Sequence, residues 1–549
     1  MGLFRKKPLD RTTATEGEIH GGHVLGRHLT VRDLTFFGIA AIIGAGSFSS
    51  MGEACFKGGP GVVLLFVMCG IACGFTALCY AEFAARVPAS GSAYTYAYVS
   101  FGELFAWVIG WALLMEYSIG NIYVAFSWSG YFTNLLQGLG LHMPEWLTIN
   151  YRSASRAFTE GAVGEGLTAW NTAPMLGGLR IIFDLPAVMI NALITWLVYR
   201  GVKESRNASN AMVLVKLAII LLVVLVGAFY VDIDNWSPFM PNGFGGVMAG
   251  VSAVFFAYIG FDAVSTLAEE SKDPQRDLPR GMLWSLVICT AIYVVLALVL
   301  TGMVNWSQLD VSDPLAEVFK LREVKWMLYV VSIAAVVAMT SVMLVFQLGQ
   351  PRIWMSMSRD GLLPKKFASI HPTYKTPGFS TIVTGLVVGV PIFFTDESFI
   401  LDFTSIGTLF AFVLVCGGVL LLPQRAKEKG RFHLPYINSE WTAPALLIGI
   451  VLLLTSQVPG YFPGLLEISG HAAQNIPQLI FWPLAAVLVA FAHLRQWSLI
   501  PLLGLLSCCY LLTGMEVSNW IWFSIWLLIG LACYFAYGYR HSKLAPART

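Results

Sequence analysis

A series of apolar runs, each about 20 residues long, recurs along the whole chain and constrains the fold more than any other feature. As a helix, a run of this length spans the roughly 30 Å hydrocarbon core of a bilayer. Hydrophobic residues make up 56% of the 549 residues and charged residues only 12%, which excludes an ordinary soluble protein. The sequence therefore predicts an all-α polytopic membrane protein.

Fourteen of these runs are predicted to cross the membrane. They are 34–56, 60–82, 104–135, 181–199, 209–231, 246–268, 281–303, 326–350, 379–395, 399–422, 442–458, 476–494, 498–514 and 517–538. With the N-terminus inside, only seven of the 34 Lys and Arg residues fall on the outer face, and Lys216 lies within a span. The positive-inside rule then predicts cytoplasmic N- and C-termini.

Two of the runs are interrupted by glycine. "IIGAGSF" (42–48) lies within the first run, and "FFAYIGFDA" (255–263) lies within the sixth. Glycine weakens helices, and unwound backbone at membrane depth is tolerated only where it lines a cavity. Interruptions at matching positions are typical of the binding site of inverted-repeat transporters, and an offset of five spans inverts the second set. The alternative is that these glycines only let helices pack closely.

The two interruptions indicate the charge pattern of a ligand. A half-helix that begins after Gly46 offers N–H groups at its positive end, which favours a carboxylate. A half-helix that ends at 257–259 offers carbonyl oxygens at its negative end, which favours an ammonium group. A molecule that carries both groups close together is an α-amino acid.

Four stretches resemble the amino acid–polyamine–organocation (APC) superfamily of permeases, in particular the cationic amino acid transporter branch and its bacterial relatives. They are "GIAAIIGAGSF" (38–48), "ALCYAEFAARVPASGSAYTYAYVSFGE" (77–103), "FFAYIGFDAVSTLAEESKDPQRDLPRGM" (255–282) and "MSRDGLLP" (357–364). The resemblance covers nearly the whole chain. It implies a LeuT-like transporter core of five plus five helices in inverted repeats, followed by four additional C-terminal helices.

This resemblance divides the chain into five segments. They are a cytoplasmic N-terminal segment (1–32), the first repeat (33–232), the second repeat (245–423), the additional helices (442–538) and a cytoplasmic tail (539–549). An outer loop at about 137–180 lies within the first repeat and is interpreted as a cap or lid. Because this loop lacks cysteine, no disulfide-linked accessory subunit is expected.

The resemblance also implies a set of substrate-binding residues. The substrate carboxylate is expected at Ala45, Gly46 and Ser47, and the ammonium group at the carbonyls of Ile42, Phe256, Ala257 and Ile259. Phe261 matches an aromatic residue that gates the site from outside. Met339, in "AMTSVM" (338–343), matches a residue of the side-chain pocket that is small and polar in cationic transporters. Met339 thus predicts a neutral substrate such as alanine, and the alternative is an ordinary packing residue.

Lys216 lies among aliphatic residues of the fifth span, in "VLVKLAIILLVV" (213–224). A charged residue at membrane depth is costly and indicates function. In similar proton-coupled proteins a lysine takes the place of a sodium ion, so Lys216 is predicted to bridge the first span, through the Ile43 carbonyl, to the eighth. The alternative is a side chain that extends to the membrane surface. No cofactor is expected, and the proton is the expected coupling ion.

Further charged residues lie in the third and sixth spans. Glu116, in "LLMEYSIG" (113–120), is either a proton-linked or gating carboxylate or a hydrogen-bonded packing residue. Glu269 and Glu270, followed by Lys272 and Arg276, either form an inner gate or latch or belong to a solvated loop.

These features predict a secondary active permease that takes up neutral L-amino acids such as alanine with protons by alternating access. The alternatives are an amino acid exchanger, a cationic amino acid transporter and, more distantly, a membrane sensor. An enzyme is not expected, because the nine histidines are scattered and no HExxH or GxSxG motif occurs. The expected partners are the amino acid and membrane lipid, with no nucleic acid.

Overall fold

The apolar runs fold as α-helices in the computed structural model, which describes residues 3–8, 27–44, 46–161, 164–311, 313–395, 397–423, 431–457, 461–466, 472–515 and 517–545. Within these residues, eight helical stretches are long and apolar enough to span a membrane, and five further apolar helices have 10–17 residues. The prediction of an all-α polytopic membrane protein is thereby confirmed. The count of fourteen crossings and the inverted repeat stay predictions.

The first half of the chain forms nine helices in its described residues. They are α1 (Val31–Ile42), α2 (Met51–Gly58), α3 (Val62–Arg86), α4 (Ala93–Ser100), α5 (Glu103–Gly138), α6 (Tyr151–Glu160), α7 (Glu165–Thr172), α8 (Leu185–Arg200) and α9 (Val202–Ala228). A two-stranded antiparallel hairpin, β1 (Met175–Leu176) and β2 (Leu179–Arg180), lies between α7 and α8.

The second half adds thirteen helices in its described residues. They are α10 (Gly243–Ala249), α11 (Val251–Phe256), α12 (Pro274–Met303), α13 (Pro314–Leu321), α14 (Lys325–Arg359), α15 (Gly378–Ile392), α16 (Glu397–Leu421), α17 (Thr442–Gln457), α18 (Tyr461–Leu466), α19 (Ala472–Arg495), α20 (Leu499–Leu512), α21 (Val517–Cys533) and α22 (Tyr539–His541). Every predicted span overlaps at least one of these helices or those of the first half.

Both glycine interruptions break their helices. The first break separates α1 from a π-helical turn, Gly46–Ser50, which leads directly into α2. The second break follows α11, where Gly260 adopts φ +114°, a left-handed conformation that glycine adopts without steric cost. Beyond Gly260 the chain continues as a 3₁₀-helix, Phe261–Glu270. Each predicted span with a glycine interruption is therefore a pair of half-helices.

The broken helices lie at the centre of the bundle. The central helix is α5, whose most apolar window is 89% buried, and α14 packs along its length. Close contact depends on small residues, because a Cβ on Gly120 would lie 2.9 Å from the ring of Phe346 in α14. Helices α9, α12 and α14 all contact α1. The first break is thus surrounded by protein.

The outer loop has more structure than the sequence indicated. Asn150 caps α6 by accepting a 2.8 Å hydrogen bond from Ser153 N–H, and Gly161 ends the helix in a left-handed conformation. Helices α6 and α7 then pack together around a small core that consists of Ala154, Ala169, Ala173 and Ile182. The polar composition of the outer loop gave no clear helical pattern, because each of these helices buries only the side that faces the other helix.

Candidate substrate site between two broken helices

The two breaks touch each other. A Cβ added to Gly46 would lie 2.5 Å from Ala257 Cα, so only glycine permits this approach. The Ser50 hydroxyl links the segments further, because it lies 2.7 Å from the Gly46 carbonyl and 3.0 Å from the Ala253 carbonyl. The interruptions predicted from two distant parts of the sequence therefore form one place in the structure.

The ammonium group of Lys216 lies at the carbonyl end of α1. Its Nζ is 3.1 Å from the carbonyl oxygens of Ile39 and Ala40 and 2.7 Å from that of Ile43. It also lies 2.9 Å from the hydroxyl of Ser341 in α14. The last carbonyls of a helix lack partners within the helix and carry partial negative charge, which favours a cation. Lys216 is fully buried, so its side chain does not extend to the membrane surface.

Tyr293 of α12 joins the two breaks and was not predicted from the sequence. Its hydroxyl lies 2.8 Å from the carbonyl of Ile42 and 2.9 Å from that of Ala257. These are two of the carbonyls at which the ammonium group of an amino acid was expected. A tyrosine within an apolar run gives no sequence signal for this contact, because it depends on how α12 packs against both half-helices.

A small cavity lies between the breaks, α5 and α14. Its volume is about 20 Å³, which holds about one water molecule. It is lined by Ala41, Ile42, Gly46, Gly120, Val124, Phe256, Ile259, Val342 and Phe346. Four of the predicted binding residues are among them, namely Ile42, Gly46, Phe256 and Ile259. An amino acid is larger than this space, so the cavity in this conformation does not hold one.

The other predicted binding residues lie beside the cavity or outside the described residues. Ser47 is fully buried, and its hydroxyl donates to the Gly44 carbonyl at 2.9 Å. Met339 is fully buried in α14, three residues before Val342, so both lie on the same helical face. The prediction for Ala45 falls outside the described residues.

Phe261 does not reach this cavity. It lies beyond the Gly260 turn, where its ring packs against Tyr80 at 6.0 Å and Phe412 at 5.1 Å between centroids. Phe256, on the other side of the turn, does line the cavity and meets Tyr123 edge to face at 5.3 Å. The two aromatic residues thus face different parts of the protein.

Glu116 of α5 is fully buried, close to Thr408 of α16. Its carboxyl group is near enough to that of Asp262, just after the second break, for the two to interact electrostatically. Among the described residues, no cluster of three or more His, Cys, Asp or Glu side chains could hold a metal ion.

A buried ion pair lies at the end of the second broken helix. Glu270 Oε1 accepts hydrogen bonds from Arg352 Nε at 3.0 Å and from Nη2 at 2.5 Å, and both side chains are almost completely buried. The Glu270 carbonyl also accepts from the N–H groups of His28 and Leu29, which tie the N-terminal segment to this point. The interpretation of Glu270 as part of a solvated loop is therefore wrong.

Comparison with known proteins agrees with this architecture. The sequence model of a family described as "Amino acid permease" matches residues 29–492, and that of the "C-terminus of AA_permease" matches residues 499–542. The chain is similar to the branched-chain amino acid permease BcaP of Bacillus subtilis, with 37% identity over 99% of both chains. It is also 39% identical to the methylthioribose transporter of that species, over 91% of this chain and 99% of the relative.

A human relative extends the comparison to the cationic branch. Cationic amino acid transporter 4 of Homo sapiens is 31% identical over 98% of this chain and 90% of its own length. The family and these relatives are transporters, which confirms that the chain is not an enzyme. The protein is an integral membrane member of the amino acid permease family.

Proposed function

We propose that the chain is a secondary active transporter that carries neutral L-amino acids such as alanine, together with a proton, by alternating access. The observation that carries this proposal is the meeting of the two broken helices, with Lys216 on the carbonyl end of one and Tyr293 between them. The proposal includes fourteen crossings, the five-plus-five inverted repeat, and cytoplasmic termini in the cell membrane. Lys and Arg residues are far more numerous on the predicted inner face than on the predicted outer face, which supports that orientation.

Substrate recognition follows from the ends of the half-helices. The carboxylate binds at Gly46 and Ser47, where the chain re-enters a helix. The Ser47 N–H group donates to the Gly44 carbonyl at 3.0 Å, so it must exchange this bond for one to the carboxylate. The ammonium group binds the carbonyls of Ile42 and Ala257, because a carbonyl oxygen has two lone pairs and can accept from Tyr293 and the substrate together. The side chain then extends toward the apolar face of α14 that carries Met339.

Proton coupling follows from the number of donors on Lys216. Four oxygen atoms lie within 3.1 Å of its Nζ. An ammonium group has three N–H donors and a neutral amine has two, so loss of the proton removes one of the donors that Lys216 supplies to these oxygen atoms. Deprotonation thus loosens the link between α1 and α14. The carboxyl group of Glu116 acts as a second proton-linked group, near the other break.

Alternating access requires a barrier on each side of the site. We assign the outer aromatic gate to Phe256 rather than Phe261, because Phe256 lines the cavity. The Glu270–Arg352 pair closes the opposite side. Binding of substrate and proton favours separation of this pair. The substrate and the proton are then released on that side, and the carrier returns to its closed form.

Alanine exchange into liposomes tests the substrate class. Purified protein in proteoliposomes preloaded with unlabelled alanine should accumulate radiolabelled alanine, and external leucine, another neutral amino acid, should reduce this accumulation. Arginine and methylthioribose should compete at least tenfold more weakly than alanine. Stronger competition by arginine would favour the cationic alternative, and strong competition by methylthioribose alone would contradict an amino acid substrate.

A further inference from the structure

The start of the chain lies against the bundle at the beginning of α5. Residues 3–7, here called the N-terminal strap, run beside the turn between α4 and α5. The carbonyl of Leu3 accepts a hydrogen bond from Leu104 N–H at 3.0 Å, and that of Arg5 accepts one from Glu103 N–H at 2.9 Å. The first N–H groups of a helix lack partners within the helix, so the strap supplies them. The strap lies before the part of the chain that matches the permease family.

Side chains of the strap alternate between the protein and the solvent, as they do in an extended segment. Lys6 is exposed, whereas Arg5 and Lys7 are partly buried. Lys7 Nζ lies 2.9 Å from Oδ1 of Asp360, the residue that directly follows α14. Both side chains are only 12% exposed, so this ion pair is screened less than one on an open surface. The strap is therefore tied by charge to the end of α14.

The Asp360 carboxylate also holds α4. The hydroxyl of Tyr94, in α4, donates to Asp360 Oδ2 at 2.8 Å. The strap contacts α4 itself, because Lys7 N–H donates to the Tyr98 carbonyl at 3.3 Å. The strap, α4 and the end of α14 thus meet at one carboxylate.

The loop just before α4 contacts the 3₁₀-helix that follows the second break. The Ser265 hydroxyl donates to that of Ser92 at 2.7 Å, and Glu269 N–H donates to the Ser90 hydroxyl at 3.3 Å. Helix α4 therefore lies between the Asp360 junction and the 3₁₀-helix and contacts both.

The end of α14 reaches the same 3₁₀-helix directly. Arg359, the last residue of α14, pairs with the Glu269 carboxylate at 2.8 Å. Glu269 precedes Glu270, whose ion pair with Arg352 is the proposed closure on this side of the site. Contacts between described residues thus lead from the strap, through α4 and the end of α14, to the proposed closure.

We propose that the N-terminal strap is an autoinhibitory latch, which holds the protein closed on the side of the Glu270–Arg352 pair while Lys7 is bound to Asp360. Opening on this side requires the 3₁₀-helix to separate from the end of α14. The bound strap opposes this separation because it joins α4 to that end. Release of Lys7 removes the restraint and favours the open form. The proposal rests on the proposed alternating access, because the latch regulates the opening step of that cycle.

Hydrogen–deuterium exchange of the purified full-length protein in detergent tests the latch without measuring transport. Lys7→Glu places a carboxylate against Asp360 and should release the strap, so amide exchange in residues 261–270 should become at least threefold faster. The matched control, Lys6→Glu, makes the same change of charge on the exposed side of the strap and should exchange like the unmodified protein. Faster exchange confined to residues 3–8, or equal exchange in the two variants, would overturn the proposal.

A second variant tests the path through α4. Tyr94→Phe removes the hydroxyl by which α4 binds Asp360, and it should likewise speed deuterium exchange in residues 261–270. Unchanged exchange there would contradict this path.

Alanine transport in proteoliposomes separates the latch from the proposed function. If the unmodified protein does not carry alanine but the deuterium results are as expected, the substrate proposal is wrong and the latch is supported. If alanine is carried but Lys7→Glu leaves deuterium exchange in residues 261–270 unchanged, the latch alone is wrong.

Discussion

At the scale of single residues, the first break is organised by side chains from other helices. Lys216 and Tyr293 together supply donors to four carbonyls at the end of α1, those of Ile39, Ala40, Ile42 and Ile43. A buried carbonyl without a donor costs about 1–3 kcal/mol. These two side chains therefore help to stabilise the unwound chain at membrane depth, together with the Ile43 N–H group and the Ser341 hydroxyl, which also donate to the carbonyls of Ile39 and Ala40.

Replacement of Tyr293 by phenylalanine tests this organisation. Tyr293→Phe removes the hydroxyl that contacts the carbonyls of both Ile42 and Ala257, and we expect alanine uptake to fall at least tenfold while the protein still folds. The measurement is initial uptake in proteoliposomes at equal protein content. The control is Tyr534→Phe, which removes an equally buried hydroxyl that donates to the Glu103 carboxylate at the start of α5 at 2.8 Å, away from both breaks. Equal loss in the two variants would show that Tyr293 has no special role.

Met339 tests the proposed side-chain pocket. Met339→Ser makes the face of α14 shorter and more polar, so arginine should become a competitor of alanine uptake, with an inhibition constant at least tenfold lower than for the unmodified protein. The control is Met327→Ser, another buried methionine about 18 Å earlier along the same helix. If arginine inhibits neither variant, or both alike, Met339 is an ordinary packing residue.

At the scale of elements, the close approach of the two half-helices determines whether the site can form. Gly46→Ala places a methyl group 2.5 Å from the Ala257 Cα, so the half-helices must separate. We expect this variant to lose most of its alanine exchange, measured in proteoliposomes preloaded with alanine. Gly130→Ala in α5 is the control, because nothing lies within 4 Å of the added group and alanine favours helix by up to about 1 kcal/mol. Normal exchange by Gly46→Ala would contradict the proposed site.

The sequence predicted these elements unevenly. The positions of both breaks were predicted because glycine is a strong local signal. The link from Lys216 to the first span and the eighth was implied by the resemblance to proton-coupled transporters. The Tyr293 contact and the burial of Glu270 were not, since each depends on the packing of elements distant in sequence. The sequence could not predict that Phe256, and not Phe261, lines the cavity, because this depends on the turn of the chain at Gly260 between them.

At the scale of the whole molecule, the buried Glu270–Arg352 ion pair is the proposed closure on one side of the site. Glu270→Gln leaves the Arg352 guanidinium buried without its carboxylate, and removing one partner of a buried pair costs about 3–5 kcal/mol. We expect a clear loss of thermal stability in detergent. Glu317→Gln, whose partner Lys320 is 65% exposed, should cost no more than about 1 kcal/mol. Equal stability of the two variants would contradict a buried closure.

The overall class was the easiest feature to predict at this scale, because few structures other than a membrane-spanning helix suit an apolar run of this length. The structure of the outer loop was the hardest. Its helices α6 and α7 bury only a few alanines and Ile182, so their sequence shows little apolar periodicity. The cavity that Arg152 and Arg156 of the loop line together with Phe393 and Phe394 could not be predicted at all, because these residues are more than 200 positions apart in the sequence.

The most direct test of the central claim is alanine accumulation in proteoliposomes driven only by an inward proton gradient. The account predicts accumulation in the unmodified protein and in Lys57→Met, which removes a partly exposed lysine paired with Glu53. Lys216→Met should lose gradient-driven accumulation but still bind alanine. Uptake that requires preloaded amino acid and ignores pH would make the protein an exchanger, and binding without any flux would make it a sensor; either result would contradict proton-coupled transport.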